Sequence, residues 1–561
     1  MGQIFKKIRD FYFNRSYLGY FFVAFFGLAF FSLIQATGTF LDPDSFYHAK
    51  MTALMLKQGV VRDFPHLAYT VLPQIYTDHH FLYHILLAPF ISKIYPLLGI
   101  KIATTVINTS FIVLFYAFLK KNGARWPFLF VFLLLSSTPF IFRINLAKAN
   151  GLSLVFIILI LFAIFKKKNI WLGFLSFLYV WAYGGWPLGI FLGGTFLIAS
   201  MIANLIKPSP SVIARRDPSL RSGQAPQSRF SVRLPRALRV LAMTAGRAEW
   251  RPFAATILGS AAGLIINPYF PQNLKFYWIQ IVQIALVNYQ TKIGVGAEWY
   301  GFNVLELVSF SGGVFLILGF AILLFFGNLV IKKKGIISYE AVRDIFFFLI
   351  CAGLFFVITI KSVRNTEYFF PFILLLSAFI IKYFYNGGAA EWIKKNLRKI
   401  FRLKILYNGF FIYLALMISA GFAVNFWKIK KGFEGGFEFL KYKGAMAMAQ
   451  ENSDKGDIIF HSDWDDWPML FYHNDYNRYI VGLDTTFMYK YSKDLYKKWR
   501  DITWGDFAGD PYKIIKDDFK ASLIYIAEND IEIMDKYFEN DKRYELIYDG
   551  DGKVYKIITN Y

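Results

Sequence analysis

Asp42 and Asp44 flank Pro43 at the head of the stretch LDPDSFYHAK (41–50), with Tyr47 and His48 one helical turn further on. Carboxylates grouped with an imidazole suit general acid–base chemistry, or an oxygen-rich site for Mg²⁺ or Mn²⁺. A second polar knot, TDHHFLYH (77–84), adds Asp78, His79 and His80. The chain has no HExxH spacing, and neighbouring histidines point apart in regular structure, so a zinc-protease arrangement does not fit. Any divalent cation is expected on Asp42 and Asp44, with Asp78, His79 and His80 as further candidate ligands. Asp42 has a structural reading too, because Asp followed by Pro is a common helix start. SFYHAKMTALMLKQG would then lie along the membrane as an amphipathic helix that Gly59 ends. The two readings are compatible, since a capping carboxylate at the mouth of a cavity still has an oxygen to offer.

The composition says what must position these groups. Of 561 residues, 56% are hydrophobic, 20% are aromatic and 63 are Phe. Apolar runs of about 20 residues, enough to cross a hydrocarbon core of about 30 Å, recur along the chain. Lipid offers no partner to an unpaired backbone group, so these runs are expected as helices. They fall near 18–36, 100–120, 126–143, 151–166, 170–186, 187–206, 253–268, 304–328, 344–361, 367–384 and 405–425. The first is too long for a signal-peptide core and lacks a clear cleavage site, so it reads as an anchor. The net charge of +24 does not point to nucleic acid, because its cations sit in short loops: KKNGAR (120–125), KKKN (166–169), KKK (332–334) and KKNLRKIFRLK (394–404). Lys and Arg in such loops mark the cytoplasmic side. Cys351 is the single cysteine, so no intrachain disulfide forms.

With the N-terminus in the cytoplasm, all four basic loops fall inside. Residues 37–99, 143–150, 269–303, 361–367 and the tail from about 426 fall outside. His48, His66, His79, His80, His84, His461 and His473, all the histidines of the chain, then lie on the outer side. Residues 208–252 carry nine Arg and no Lys and read as a disordered cytoplasmic insertion without a catalytic role. The expected architecture is a polytopic α-helical membrane protein with about 11–13 spanning helices over 1–425. An extracytoplasmic α/β domain follows over 426–561. Its strand-like runs are DIIFHS, RYIVGLD, SLIYIAE, YELIYDG and KVYKIIT, with a hairpin at DGDGK (549–553).

Five stretches in order resemble the catalytic subunit of oligosaccharyltransferase. Asp42-Pro43 and Tyr47 after the first helix resemble that family's first outward loop, whose Asp-Pro carboxylate meets metal and acceptor. VWAYGGWPLG (180–189) resembles its Trp-Gly-Gly-Tyr segment, and GVGAEWYGF (294–302) its acidic outer loop, which makes Glu298 the acceptor-reaching glutamate. KSVRNTEYFFP (361–371) resembles the arginine-bearing turn that holds the donor phosphate, which points to Arg364. SDWDDWPMLFYHNDYNRYIVGLDTTF (462–487) resembles the region of the Trp-Trp-Asp-Tyr-Gly motif, here Trp464, Asp465, Asp466 and Trp467. The wider superfamily implied is that of the GT-C membrane glycosyltransferases, which use polyprenyl-phosphate-linked sugars.

Two departures stand out. The family's second acidic pair is replaced by FRINLAKANG (142–151), which carries Arg143 and Lys148, and the Trp-Trp-Asp-Tyr-Gly residues are altered. The resemblance implies Asp42, Asp44 and Glu298 as catalytic residues. It implies Arg364, Tyr47, His48, Arg143, Lys148, Trp464, Asp465, Asp466 and Trp467 as substrate contacts, with a Mg or Mn ion. The expected partners are a polyprenyl-linked donor, a peptide or glycan acceptor and the bilayer. Transfer of one sugar from a polyprenyl-phosphate monosaccharide to a lipid or cell-wall glycan is the nearest alternative. A transporter would need more ionisable residues inside its helices than this chain has. A non-catalytic assembly protein would tolerate loss of Asp42.

Overall fold

The computed structural model describes residues 16–91, 95–206, 249–331, 338–400 and 404–558. Most of the Arg-rich 208–252 insertion and the KKK loop at 332–334 lie outside these residues. A helix occurs at each of the eleven expected apolar positions. Among the described residues seven are long and apolar enough to cross a membrane: Tyr17–Gln35, Pro96–Lys121, Pro187–Ile206, Gly312–Val330, Tyr339–Lys361, Val363–Gly387 and Ile412–Glu434. The expected 126–143 helix is broken instead into Pro127–Leu134 and Thr138–Asn145, bent by 76°. Pro139 supplies the reason, having no N–H to continue the ladder and a ring that crowds the preceding turn. Asn150–Phe165, Asn169–Ala182 and Arg251–Ile265 are shorter apolar helices. The last two approach closely because small residues face each other: a Cβ on Gly259 would stand 2.1 Å from the Gly173 carbonyl oxygen.

Three helices fix the polarity of the bundle. Asn150–Phe165 starts beside the 142–148 turn and ends at Lys166–Lys168. Thr366–Phe384 starts beside Arg364 and runs toward the basic Ala389–Ile400 helix. Pro96–Lys121 likewise ends on two lysines. The described basic stretches at 120–125, 166–168 and 389–400 thus gather at one end of the bundle, and the segments expected outside gather at the other.

The tail contains a five-stranded sheet from all five expected runs. Counting from the first loop, the strands are β1 (Thr39–Phe40), β2 (Phe437–Glu438), β3 (Ile458–His461), β4 (Arg478–Tyr479), β5 (Ala521–Ile526), β6 (Tyr544–Gly550) and β7 (Gly552–Ile557). The sheet order is β4-β3-β5-β7-β6, with β3 parallel to β4 and β5, and β6–β7 as the hairpin closed at Asp551. Three stitches hold the tail to the first loop. β1 pairs antiparallel with β2, Leu67 bridges Tyr479, and the Asp44–Gln58 helix packs on Trp467–His473 through Tyr47 and Trp467, whose rings lie 5.9 Å apart. The last apolar helix runs on to Glu434, nearly to β2.

Candidate active site

A cavity of about 420 Å³ opens where the helix ends opposite the basic stretches meet the tail. Eight stretches far apart in sequence line it, from 41–48, 76–80, 142–148, 276–299, 363–364, 437, 464–465 and 483–487.

The Asp44–Gln58 helix starts as its sequence suggests. The Asp44 N–H donates to Asp42 Oδ1 at 2.9 Å, and Gly59 ends the helix at φ 76°. The cap engages one Asp42 oxygen only; the other, Oδ2, accepts from Lys148 Nζ at 2.7 Å. The same ammonium reaches Asp44 Oδ2 at 2.8 Å. Burial opposes a charged Lys148, yet Asp42, Asp44 and Glu298 together hold its pKa well above that of a free lysine. Burial also pushes Asp42 upward; Lys148 pulls against it, while Asp44 and Glu298 add to the rise.

Glu298 lies in a short turn, Ala297–Trp299, pinned by the Ser362 hydroxyl donating to its carbonyl at 2.7 Å and by Val363 N–H donating to the Tyr300 carbonyl at 2.8 Å. One carboxylate oxygen accepts from the Arg143 guanidinium at 2.5 Å, and the other forms an ion pair with Arg364 at 3.3 Å. Burial alone would raise the Glu298 pKa; Arg364, Lys148 and Arg143 outweigh it and hold the group far below the usual carboxylate range. Arg364 also stacks over Trp299, 4.7 Å from the ring centre. The 76° bend carries Arg143 inward, where its Nε donates to Glu367 Oε2 at 3.1 Å. Asn150 donates to the same oxygen at 3.2 Å.

Asp42, Asp44, Tyr47, His48, His79, His80, Arg143, Lys148, Glu298, Arg364, Trp464 and Asp465 all line the cavity, as the sequence reading expects. Three expected residues do not. Asp78 is engaged elsewhere, with Oδ2 2.6 Å from His84 Nδ1 and Oδ1 accepting the His80 N–H. Trp467 is wholly buried, stacked on Phe471 at 4.9 Å, in a space that Gly482 leaves open because a Cβ there would stand 2.5 Å from the indole. Asp466 accepts from the Tyr442 hydroxyl at 3.1 Å in the tail interior. Of the altered motif only Trp464 and Asp465 face the cavity. His79 and His80 do not point apart either. Their rings lie 3.9 Å from each other, because 77–80 is an irregular turn rather than helix or strand. His79 packs on Phe276 and against Gly184, where a Cβ would come within 3.1 Å of its ring, and His80 stacks on Tyr183.

The expected metal set is therefore not assembled. The Lys148 ammonium sits on both Asp42 and Asp44, Asp78 is held by His84, and the two histidines face aromatic rings. Among the described residues no three His, Cys, Asp or Glu side chains converge as metal ligands. These residues as arranged do not fit a divalent ion.

Two acidic groups of the site escaped the sequence reading, Glu367 buried behind the cavity wall and Asp484 on it. Glu367 has 0% exposure and forms the far end of the charge chain. An acid at the start of an otherwise apolar helix was the available signal. Asp484 lines the cavity while capping Thr485–Tyr491 through the Thr486 N–H at 2.8 Å.

The sequence matches no family model and no curated protein. The fold does match solved structures. The archaeal oligosaccharyltransferase AglB from Archaeoglobus fulgidus, in complex with an inhibitory peptide and a dolichol-phosphate, superposes with a TM-score of 0.59 at 13% identity. That match covers 96% of this chain and 74% of that one. The apo form of the Archaeoglobus fulgidus oligosaccharyltransferase gives 0.56 at 11% identity, over 90% of this chain and 69% of that one. ArnT from Cupriavidus metallidurans bound to undecaprenyl phosphate gives 0.50 at 12%, over 97% and 98% of the two chains. The chain shares its fold with these AglB and ArnT structures.

Proposed function

We propose that the chain is a membrane glycosyltransferase that moves a sugar from a polyprenyl-(pyro)phosphate donor to an acceptor at the extracytoplasmic face. One observation carries this reading: the Arg143–Glu298–Arg364 bridge and the Asp42–Lys148–Asp44 bridge share a single cavity at the outer end of the helices. The solved structures of like fold that hold dolichol-phosphate or undecaprenyl phosphate support a lipid-phosphate donor. The basic loops at the opposite end support a cytoplasmic N-terminus and an outer domain over 426–561.

In this reading Asp42 accepts the proton of the acceptor hydroxyl or amide, and the acceptor atom bonds to the anomeric carbon. The bond from that carbon to the phosphate oxygen breaks, and its electron pair leaves with the phosphate. Arg143 and Arg364 stand where that charge collects, and guanidinium forks suit phosphate oxygens. Glu298 holds both guanidiniums in place, and an incoming phosphate competes for the same N–H groups.

The acceptor reading that the site favours is a glycan or lipid rather than a peptide. In the altered motif Trp467 is inside the tail core and Asp466 is bonded to Tyr442, which leaves Trp464 to stack a sugar ring and Asp465 to bond its hydroxyls. The test is transfer from a radiolabelled polyprenyl-phosphate sugar in proteoliposomes, offered peptide and glycolipid acceptors side by side. Labelled glycolipid that disappears in Asp42→Asn supports the reading; labelled peptide would reverse the acceptor choice. No donor turnover with any acceptor, together with no binding of undecaprenyl phosphate, would sink it.

A further inference from the structure

We propose that the Lys148 ammonium takes the place of the divalent cation, so that this chain performs its transfer with a built-in positive charge. The inference rests on the transferase reading for what the charge does, but the occupancy of the site can be tested separately.

The geometry is that of a bridging cation. One atom, Lys148 Nζ, lies 2.7 Å from Asp42 and 2.8 Å from Asp44, and two of the three ammonium N–H groups are thereby used. Each Asp42 oxygen then has one partner, Oδ1 the Asp44 N–H and Oδ2 the Lys148 ammonium, and keeps a further lone pair. A divalent ion would have to displace the ammonium from both carboxylates and then sit beside it, positive against positive, in a largely buried place. Lys148 is held there, its side chain 12% exposed, in the short turn between Thr138–Asn145 and Asn150–Phe165. Three cations, Lys148, Arg143 and Arg364, are paired with the acids of this site. Two of those three cations, Arg143 and Lys148, come from the single turn that replaces the acidic pair expected from the family resemblance. The turn supplies two fixed positive charges, the formal charge of one divalent ion. Lys148 lines the same cavity as Arg143 and Arg364.

The test is Mn²⁺ binding followed by electron paramagnetic resonance on the full-length protein in detergent, with no donor present. Wild type is expected to leave the six-line signal of free Mn²⁺ undiminished at millimolar ion. Lys148→Ala, which frees both carboxylates, is expected to take up one ion per chain, and Lys148→Ala combined with Asp44→Asn none. Lys148→Arg keeps the charge and should, like wild type, leave the Mn²⁺ signal undiminished; Lys148→Gln, which removes the charge at similar length, serves if Lys148→Ala folds poorly. In the transfer assay wild type should be equally active in EDTA and in Mn²⁺. Lys148→Ala should lose about 100-fold or more in EDTA and regain part of that with Mn²⁺. Uptake of Mn²⁺ by wild type that Asp42→Asn abolishes overturns the proposal, and so does the absence of uptake by every variant. If no transfer is found at all, the transferase reading fails while the binding result still decides whether Lys148 holds the cation position.

Discussion

Arg143 donates through Nε to Glu367 at 3.1 Å across 224 residues of sequence, and neither side chain is more than 4% exposed. A buried pair of this kind is weak evidence of net stabilisation, but removing one partner strands the other charge. Glu367→Ala is therefore expected to cost about 3–5 kcal/mol, read as a lower thermal midpoint in detergent. Glu298→Ala should cost less, since Glu298 is 23% exposed and water can replace it. Equal midpoints for the two variants would contradict this ordering.

Arg364 reaches the cavity from a turn and is paired with one carboxylate rather than two. Arg364→Ala is expected to leave the fold intact and lower transfer by about 10²–10³-fold, as loss of a single charge-stabilising donor does elsewhere. Arg364→Lys keeps the charge but not the fork, and should recover only part. Steady-state kinetics against donor concentration check both.

The acid side of the pH–rate profile should follow Asp42. Burial, with help from Asp44 and Glu298, raises its pKa, so the proton-accepting form is lost at a higher pH than for an ordinary aspartate. Activity should fall on acidification while the pH is still above the usual carboxylate range. Glu298→Gln removes one of the groups that push Asp42 upward, so the acid limb should move to lower pH even as the rate drops. A limb that stays put under that substitution argues against Asp42 as the base.

Trp464 and Trp467 stand three residues apart and should behave in opposite ways. Trp464→Ala is expected to weaken acceptor saturation with little change in thermal midpoint, because the ring lines the cavity. Trp467→Ala empties a fully buried space between Tyr47, Phe64 and Phe471 and should cost about 3–5 kcal/mol. Comparing the acceptor KM with the unfolding midpoint for each variant separates the roles.

That contrast also marks how far the sequence could be read. Helix positions were legible because apolar runs have few alternatives in lipid, and the five tail strands were legible from alternation. Asp42 was legible because a cap leaves a local signature, and Glu298 and Arg364 because they sit in stretches with a family likeness. Pairings were not legible. Nothing near Trp467 says that Gly482 makes room for it, and nothing near Glu367 names Arg143 as its partner. The break at Ser136 and Ser137 was hidden because hydropathy over 126–143 is continuous, although Pro139 gave a hint. His79 and His80 misled because the rule that neighbours diverge holds in helices and strands, whereas 77–80 is neither.

Asp466 gives a stability test with a defined sign. Burial first, then Asp463 and Asp530, push its pKa up to about 7 against the opposing pull of Tyr442 and Lys441. In the unfolded chain it titrates near 3.9. Between those values the folded protein holds a proton that the unfolded chain has released, so stability falls as pH rises from about 4 to about 7 and is level above that. Asp466→Asn cannot ionise, and its amide oxygen can still accept from the Tyr442 hydroxyl. Its thermal midpoint should match wild type near pH 4 and pull ahead as the pH rises, by about 2–4 °C at pH 7. Above pH 7 the gap should stay constant. A gap that is the same at every pH would mean that the charge of Asp466 contributes nothing.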